Sequence, residues 1–210
     1  MSTDQSVDPT VKTNSRRRKV SALLAAGLVL GLGATATLAA WNDSEYASGT
    51  FSAGTFDLEG STNGTTWAQH ASVGAAATLS FTVNPANLAP GDTVYAPFAL
   101  RLAANTSTDA SLTVSAVTQT GTVTNLTYTL VRTSSITCNA GAVTGGTVVI
   151  AAGTALTSIG TPVGWTQTKG SPQTSAGATQ FVCFAVTAGS GLEQGQTGTA
   201  TWQFTATSTT

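Results

Sequence analysis

Apolar and polar residues alternate along much of the chain after residue 41. The longest row places apolar side chains at every second position, at Val94, Ala96, Phe98, Leu100 and Leu102. Successive side chains of a β-strand point to opposite faces, so this period puts one face on a core and the other in water. We therefore predict strands where the pattern recurs. Further rows begin at Leu79, Leu112, Leu126, Val182 and Ala200.

Turn-forming residues separate these rows. Asn63-Gly64 is typical of a tight hairpin turn, and Pro90-Gly91-Asp92 marks a sharp corner. No long stretch after residue 41 has the spacing of an amphipathic helix. About eight strands joined by such turns predict an all-β fold, a jelly-roll-like antiparallel β-sandwich preceded by a signal-peptide helix. Residues 41–210 are enough for one domain with a buried core.

One part of this domain lacks the alternating pattern. Residues 139–179 are rich in Gly, Thr, Ser and Ala, and we predict an irregular insertion there. Within it, Thr147–Ile150 fits a short strand and residues 153–179 fit an extended loop, with Trp165 as a candidate anchor. The insertion interrupts the series of strands before the row that begins at Val182.

The first forty residues predict a signal peptide. Residues 1–19 form a polar n-region that ends in Arg16-Arg17-Arg18-Lys19, residues 20–32 form an apolar h-region, and residues 33–40 form a cleavage region of small residues. An uncleaved anchor is the alternative, because the uncharged stretch is just long enough for one membrane span. Either reading predicts a secreted or surface-exposed body that meets the membrane only through this segment.

Charge is scarce in the exported body. After residue 40, the three basic residues Arg101, Arg132 and Lys169 stand against seven carboxylates, which gives a net charge of −4. Three scattered cations form no basic patch, so we predict no nucleic-acid partner. The low content of charged residues does not indicate disorder. Disordered chains are poor in β-branched and aromatic residues, whereas this body is rich in Val, Thr and aromatic residues.

The chain contains two cysteines, Cys138 and Cys183. Two cysteines in an exported domain usually pair, and we predict a disulfide between the irregular insertion and the strand around residue 183. A free buried thiol and a metal pair are the alternatives. A structural zinc ion needs about four ligands, and only His70 could assist the two thiols.

The sequence contains no recognisable catalytic motif. His70 is the only histidine, so a His-Glu-x-x-His zinc motif is excluded, and no Gly-x-Ser-x-Gly elbow or phosphate-binding glycine loop occurs. Asp57 and Glu59 would share one strand face and could bind Ca²⁺, although two solvated charges are the simpler explanation. We therefore predict a non-enzymatic protein without a cofactor or metal.

Two blocks of sequence resemble a known family. The junction Ala39-Ala40-Trp41-Asn42-Asp43 precedes the run Thr50–Leu58, and Asn87–Asp92 forms a second block. Over residues 20–60 and 84–105 the chain is similar to the TasA/camelysin family of exported fibre proteins, including its actinobacterial branch. The resemblance implies a jelly roll and cleavage next to Ala40 by a SipW-type signal peptidase, which leaves Trp41 as the first mature residue.

The same resemblance implies fibres of a biofilm matrix, in which the N-terminal strand of one subunit completes the sheet of the next. Camelysin has been described as a protease, but this chain lacks the metal ligands for that activity. A freed terminus can add to an open sheet edge, and head-to-tail contacts that do not close make filaments. The apolar side chains of the predicted donor strand are Tyr46, Phe51, Phe56 and Leu58.

A structural subunit that forms a homopolymer outside the cell is therefore our leading hypothesis, with the signal peptidase as its partner during export. The first alternative is a secreted or membrane-anchored binding module for a polysaccharide or protein, in which Trp67 or Trp165 stacks on a sugar. The second alternative is a secreted hydrolase that uses His70.

Overall fold

The computed structural model describes residues 16, 19–24, 43–82 and 85–209 of the chain. The chain divides into two units, residues 1–51 and 52–210. In the first unit, residues 19–24 are helical and residues 43–50 have no regular secondary structure. Within the described ranges, no helix combines the length and the apolar character that crossing a bilayer requires. The predicted cleavage residues Ala39, Ala40 and Trp41 lie outside the described residues.

The second unit is an antiparallel β-sandwich of eight strands, as the alternating pattern predicts. Its elements are β1 (Leu58–Ser61), β2 (Thr93–Leu102), β3 (Ala110–Gly121), β4 (Leu126–Thr133), β5 (Thr147–Ala155), β6 (Trp165–Gln167), β7 (Gln180–Ala188) and β8 (Gly198–Ser208), with a 3₁₀ turn at Val73–Ala75 and a short helix at Ala140–Gly145. One sheet has the strand order β1-β2-β7-β4-β5, and the other has the order β6-β3-β8.

The core lies between the two sheets and consists of the inward residues of the alternating rows. Leu112 and Leu130 are fully buried, and Phe184 is 1% exposed. The ring of Phe184 contacts two rings of the opposite sheet, with its centroid 4.6 Å from that of Trp202 and 6.3 Å from that of Phe204. These aromatic contacts join β7, at the centre of the larger sheet, to β8 of the smaller one.

The strand predicted from the row that begins at Leu79 is wrong over residues 79–82, which contain no strand. Leu79 and Phe81 instead pack against the core as partly buried side chains. The backbone N–H of Thr82 donates to the carbonyl of Tyr95 at 2.9 Å, which ties this segment to β2. One such bond does not make a ladder, so the alternation here reflects packing against the core from one side.

The Asn63-Gly64 turn is wider than a two-residue hairpin. Gly60 and Ala68 exchange two backbone hydrogen bonds of 2.9 and 3.1 Å, so the loop between them holds seven residues. Gly64 has a φ of +76°, which favours glycine, and the side-chain oxygen of Asn63 accepts from the N–H groups of Thr65 and Thr66. Local hydrogen bonds of the Asn side chain therefore set the shape of this loop.

The segment 139–179 is more regular than its composition predicts. Asn139 caps the short helix by accepting a hydrogen bond from the N–H of Ala142 at 2.9 Å. β5 continues five residues beyond Ile150, to Ala155. Trp165 lies in β6 opposite Leu112 of β3 and is 7% exposed. The predicted loop therefore supplies the end of one strand, a second short strand and a core side chain.

Candidate functional site

The predicted disulfide between Cys138 and Cys183 is confirmed. The two Cα atoms lie 5.2 Å apart, and the bridge joins the residue before the helix cap to β7. Cys138 is 8% exposed and Cys183 is fully buried, and both belong to a buried cluster with Val131. The bridge is compatible with an oxidising, extracytoplasmic location.

The residues considered for catalysis or metal binding do not converge. His70 is exposed, and its Nδ1 lies 3.0 Å from the carbonyl oxygen of Ala75. Glu59 accepts a hydrogen bond from Nε of Arg101 at 2.9 Å, so its carboxylate already has a cationic partner. Among the described residues, no three His, Cys, Asp or Glu side chains are grouped closely enough to hold a metal ion.

The two tryptophans considered for sugar stacking occupy different environments. Trp165 belongs to the core, where its indole is shielded from an external ligand. Trp67 is partly exposed, but the guanidinium carbon of Arg101 lies 4.1 Å from its ring centroid. One ring is therefore buried, and the other has one face covered by an arginine.

The predicted donor residues fall into two groups. Tyr46 is 91% exposed and Phe51 is 94% exposed, and Phe56 is 36% exposed. Leu58 instead lies in β1, pairs with Leu102 of the same chain and packs against the core. The unpaired part of the predicted donor strand therefore ends before Thr55, which forms a bridge with Thr106. We define residues 43–57 as the N-terminal segment.

The end of this segment is attached to the sandwich by hydrogen bonds at Thr55 and at Asp57, whose carbonyl accepts from the N–H of Ala103 at 2.9 Å. The N–H of Ser107 donates to the carbonyl of Thr55 at 3.0 Å, and the hydroxyl of Thr55 donates to the carbonyl of Asn105 at 2.8 Å. Residues 105–107 lie just before the start of β3, so this attachment fixes where the segment joins the sandwich.

Within the described part of the chain, β8 is an edge strand, and one side of its backbone has no partner. It pairs with β3 from Gly198 to Ser208, and no described strand pairs with its other side. Thr209 N–H donates to Asp109, and the carbonyl of Thr197 accepts from Thr122. Because backbone direction alternates along a strand, the odd-numbered residues of β8 bond to β3 and the even-numbered ones point their N–H and C=O groups outward.

The even-numbered residues of β8 also carry the side chains that face the core. Trp202 and Phe204 pack against the core cluster together with Ala200 and Ala206, yet all four remain partly exposed. At β5, which is also an edge strand, the inward residues Val149 and Ile150 are buried. The edge of β8 therefore combines free backbone groups with aromatic side chains that the chain covers only in part. We call it the β8 edge.

The strand order gives the β8 edge a specific place in the fold. The two sheets of an eight-stranded jelly roll have the orders 1-8-3-6 and 2-7-4-5. This protein has the orders β8-β3-β6 and β2-β7-β4-β5, but β1 pairs with β2, and no described strand occupies the position beside β8. The β8 edge is thus where a jelly roll holds its first strand.

The chain matches no protein-family model and no curated protein. The β8 edge and the N-terminal segment are therefore the candidate site on the basis of their geometry. The sequence resemblance to a fibre-forming family remains an expectation.

Proposed function

We propose that this protein is a structural subunit of extracellular filaments, in which the N-terminal segment of one copy adds to the β8 edge of the next. The observation that carries the proposal is the open edge at the position of the first jelly-roll strand. The exposure of Tyr46 and Phe51 supports it from the donor side, because two large apolar side chains in water favour a partner surface. SipW-type export and a biofilm-matrix role are part of the same proposal.

The lengths of donor and acceptor are compatible. β8 has 11 residues, which span about 36 Å at the rise of an antiparallel strand. The protein that begins at Trp41 has 14 residues ahead of Thr55, and these reach about 48 Å when fully extended. A paired strand along all of β8 thus leaves about three residues to cross from one copy to the next.

The attachment of Thr55 favours pairing between copies over pairing within one chain. β8 ends beside the start of β3, and Thr55 is bonded to residues 105–107, just before that start. An antiparallel strand on β8 would have to finish near Gly198, at the opposite end from Thr55. The N-terminal segment could meet that requirement on its own β8 only by giving up its hydrogen bonds at Thr55. A second copy carries no such constraint.

Pairing would satisfy the outward N–H and C=O groups of the β8 edge. Each net hydrogen bond contributes about 0.5–1.5 kcal/mol, and a strand beside β8 would also cover the exposed parts of Trp202 and Phe204. The contact is head to tail, so each copy retains one donor and one acceptor and the assembly does not close.

Purified protein that begins at Trp41 tests the proposal. Under oxidising conditions and at high concentration we expect strand-rich filaments in electron microscopy and large species in light scattering. A shortened protein that begins at Thr55 keeps the hydrogen bonds to residues 105–107 but lacks most of the donor, so we expect a folded monomer. A monomeric Trp41 protein, or equal polymerisation of both proteins, refutes strand exchange and favours a secreted binding module.

The acceptor is tested separately with Ala200→Pro. The N–H of Ala200 points outward, so proline removes a donor from the β8 edge while it spares the ladder with β3. We expect this variant to fold but to stop polymerising, whereas Ala200→Ser, which retains the N–H, should polymerise. Polymerisation of the proline variant at the wild-type rate would show that β8 is not the acceptor.

A further inference from the structure

A polar cleft lies at one end of the larger sheet, away from the β8 edge. Its volume is about 670 Å³, within the range of small-ligand sites. The end of β4, the start of β5, the start of β7 and the short helix Ala140–Gly145 all contribute to its wall. The disulfide fixes one side of this wall, because Cys138 lies between the lining residues Thr137 and Asn139.

Among the described residues, Arg132 is the one charged residue that lines the cleft. Its guanidinium carbon lies 5.7 Å from the ring centroid of Trp165, and its side chain is partly buried. No hydrogen bond or ion pair joins this guanidinium to any of the described residues. A guanidinium at this distance from an aromatic ring still has its in-plane N–H donors available to a carboxylate.

Arg101 shows what such an arrangement looks like when it is complete. It is also partly buried and also lies over a tryptophan, Trp67, at 4.1 Å. There the carboxylate of Glu59 accepts from the guanidinium at 2.9 Å. The pair Arg132 and Trp165 has the same two parts but lacks the carboxylate, and Arg132 lines the cleft.

The rest of the lining suits the hydroxyl groups of a sugar. Ser134, Thr137, Thr147 and Gln180 line the cleft, and their side chains make no hydrogen bond to any residue of the described ranges. Hydroxyl and amide groups both donate and accept, so they can bond to a polyhydroxylated ligand in several orientations. A single guanidinium among neutral groups suits one negative charge better than the double charge of a phosphate monoester.

We propose that this cleft binds an acidic oligosaccharide, with a uronic-acid carboxylate on Arg132 and the sugar hydroxyls on the neighbouring side chains. The site is separate from the β8 edge, so this proposal does not depend on filament formation. In a filament it would place an acidic-polysaccharide site on each copy.

The test is titration of the ¹⁵N-labelled protein that begins at Trp41, at a concentration below that at which it assembles, with the tetramer of galacturonic acid, followed by NMR. We expect saturable shifts for residues around Arg132 and the short helix, and weaker binding as salt rises. The methyl ester of the same tetramer keeps the sugar hydroxyls but loses the charge, and acetate keeps the charge without the sugar. Both should bind at least tenfold more weakly than the acid tetramer.

Two variants locate the binding. Arg132→Gln should weaken binding of the acid tetramer by roughly ten- to a hundredfold, as expected for the loss of a charged hydrogen bond. Arg101→Gln changes the charge equally at the other arginine–tryptophan pair and should leave the affinity unchanged. A side chain at Gly145 would meet no heavy atom within 4 Å of its Cβ, so Gly145→Leu should obstruct the cleft without disturbing the fold.

Each result decides the proposal. Loss of binding in both Arg132→Gln and Gly145→Leu, with retention in Arg101→Gln, supports it, and the leucine variant serves even if Arg132→Gln fails to fold. The proposal is overturned if the methyl ester or acetate binds as tightly as the acid tetramer. It is also overturned if the shifts map elsewhere, or if no binding is detected at millimolar concentrations.

Discussion

The free energy of unfolding that is lost on removal of the disulfide follows from the size of the loop that the bridge closes. Cys138 and Cys183 are separated by 45 residues, and the loop that they close is free to explore many conformations once the protein unfolds. The chain-entropy relation gives about 4 kcal/mol for a loop of this size at 25 °C. This is a large part of the total of 5–15 kcal/mol that is typical of folded domains.

The double variant Cys138→Ala, Cys183→Ala should therefore lower the free energy of unfolding by about 4 kcal/mol. Urea denaturation followed by tryptophan fluorescence measures it. With a slope of about 2 kcal/mol/M, the midpoint should fall by about 2 M. The slope should increase, because the unfolded chain without the bridge exposes more surface.

Loss of packing is the competing explanation, and Val143→Ala controls for it. Val143 packs against the same buried cluster but closes no loop. We expect it to cost about 1 kcal/mol, since it is only partly buried. A loss of less than about 1.5 kcal/mol in the double alanine variant, or an equal loss in Val143→Ala, would refute loop closure as the origin of the stabilisation.

Three other residues give separate predictions. Burial raises the pKa of Tyr128, whose hydroxyl donates to the carbonyl of Ser158 at 2.9 Å. The folded state thus favours the neutral phenol, so this contribution to stability is complete below about pH 10 and is lost as pH rises through the higher folded pKa. Tyr128→Phe should lower stability by about 1 kcal/mol at neutral pH and make thermal melts less sensitive to alkaline pH; an unchanged alkaline slope would contradict this. Arg101→Gln should lower the free energy of unfolding, measured in urea, by about 1 kcal/mol. A double-mutant cycle with Glu59→Gln should assign less than that to the ion pair, because both side chains are about a quarter exposed. A coupling energy above about 2 kcal/mol would be inconsistent with that exposure. Thr129→Val should lower the free energy of unfolding by about 1–2 kcal/mol, because it removes the buried hydrogen bond of 2.7 Å to the carbonyl of Ile150. Unchanged stability in calorimetry would show that this carbonyl finds another donor.

The sequence predicts the strands with clear alternation well. The row at residues 94–102 corresponds to β2, and the row that begins at Ala200 corresponds to β8 with Trp202 and Phe204 on its inward face. Alternation reports only that one face is buried. It cannot distinguish Leu79 and Phe81, which pack on the core without a ladder, from residues in a strand.

Other features depend on contacts between distant parts of the chain. β6 has three residues, too few for alternation to be visible, and Trp165 is buried there because β3 and the core surround it. The alternating pattern of β8 would be the same in the middle of a sheet, so its edge position could not be predicted from residues 198–208 alone. The cleft around Arg132 could not be predicted from the sequence, because the residues that line it come from three strands and a helix.

The β8 edge gives any filament built on it a direction. One terminus of such a filament would display an unused N-terminal segment, and the other would display an uncovered β8, so the two termini would grow at different rates. A synthetic peptide of residues 41–57 would then act as a chain terminator at the β8 terminus alone, at concentrations far below that of the protein. Growth from the opposite terminus would continue in its presence until free subunits were themselves capped.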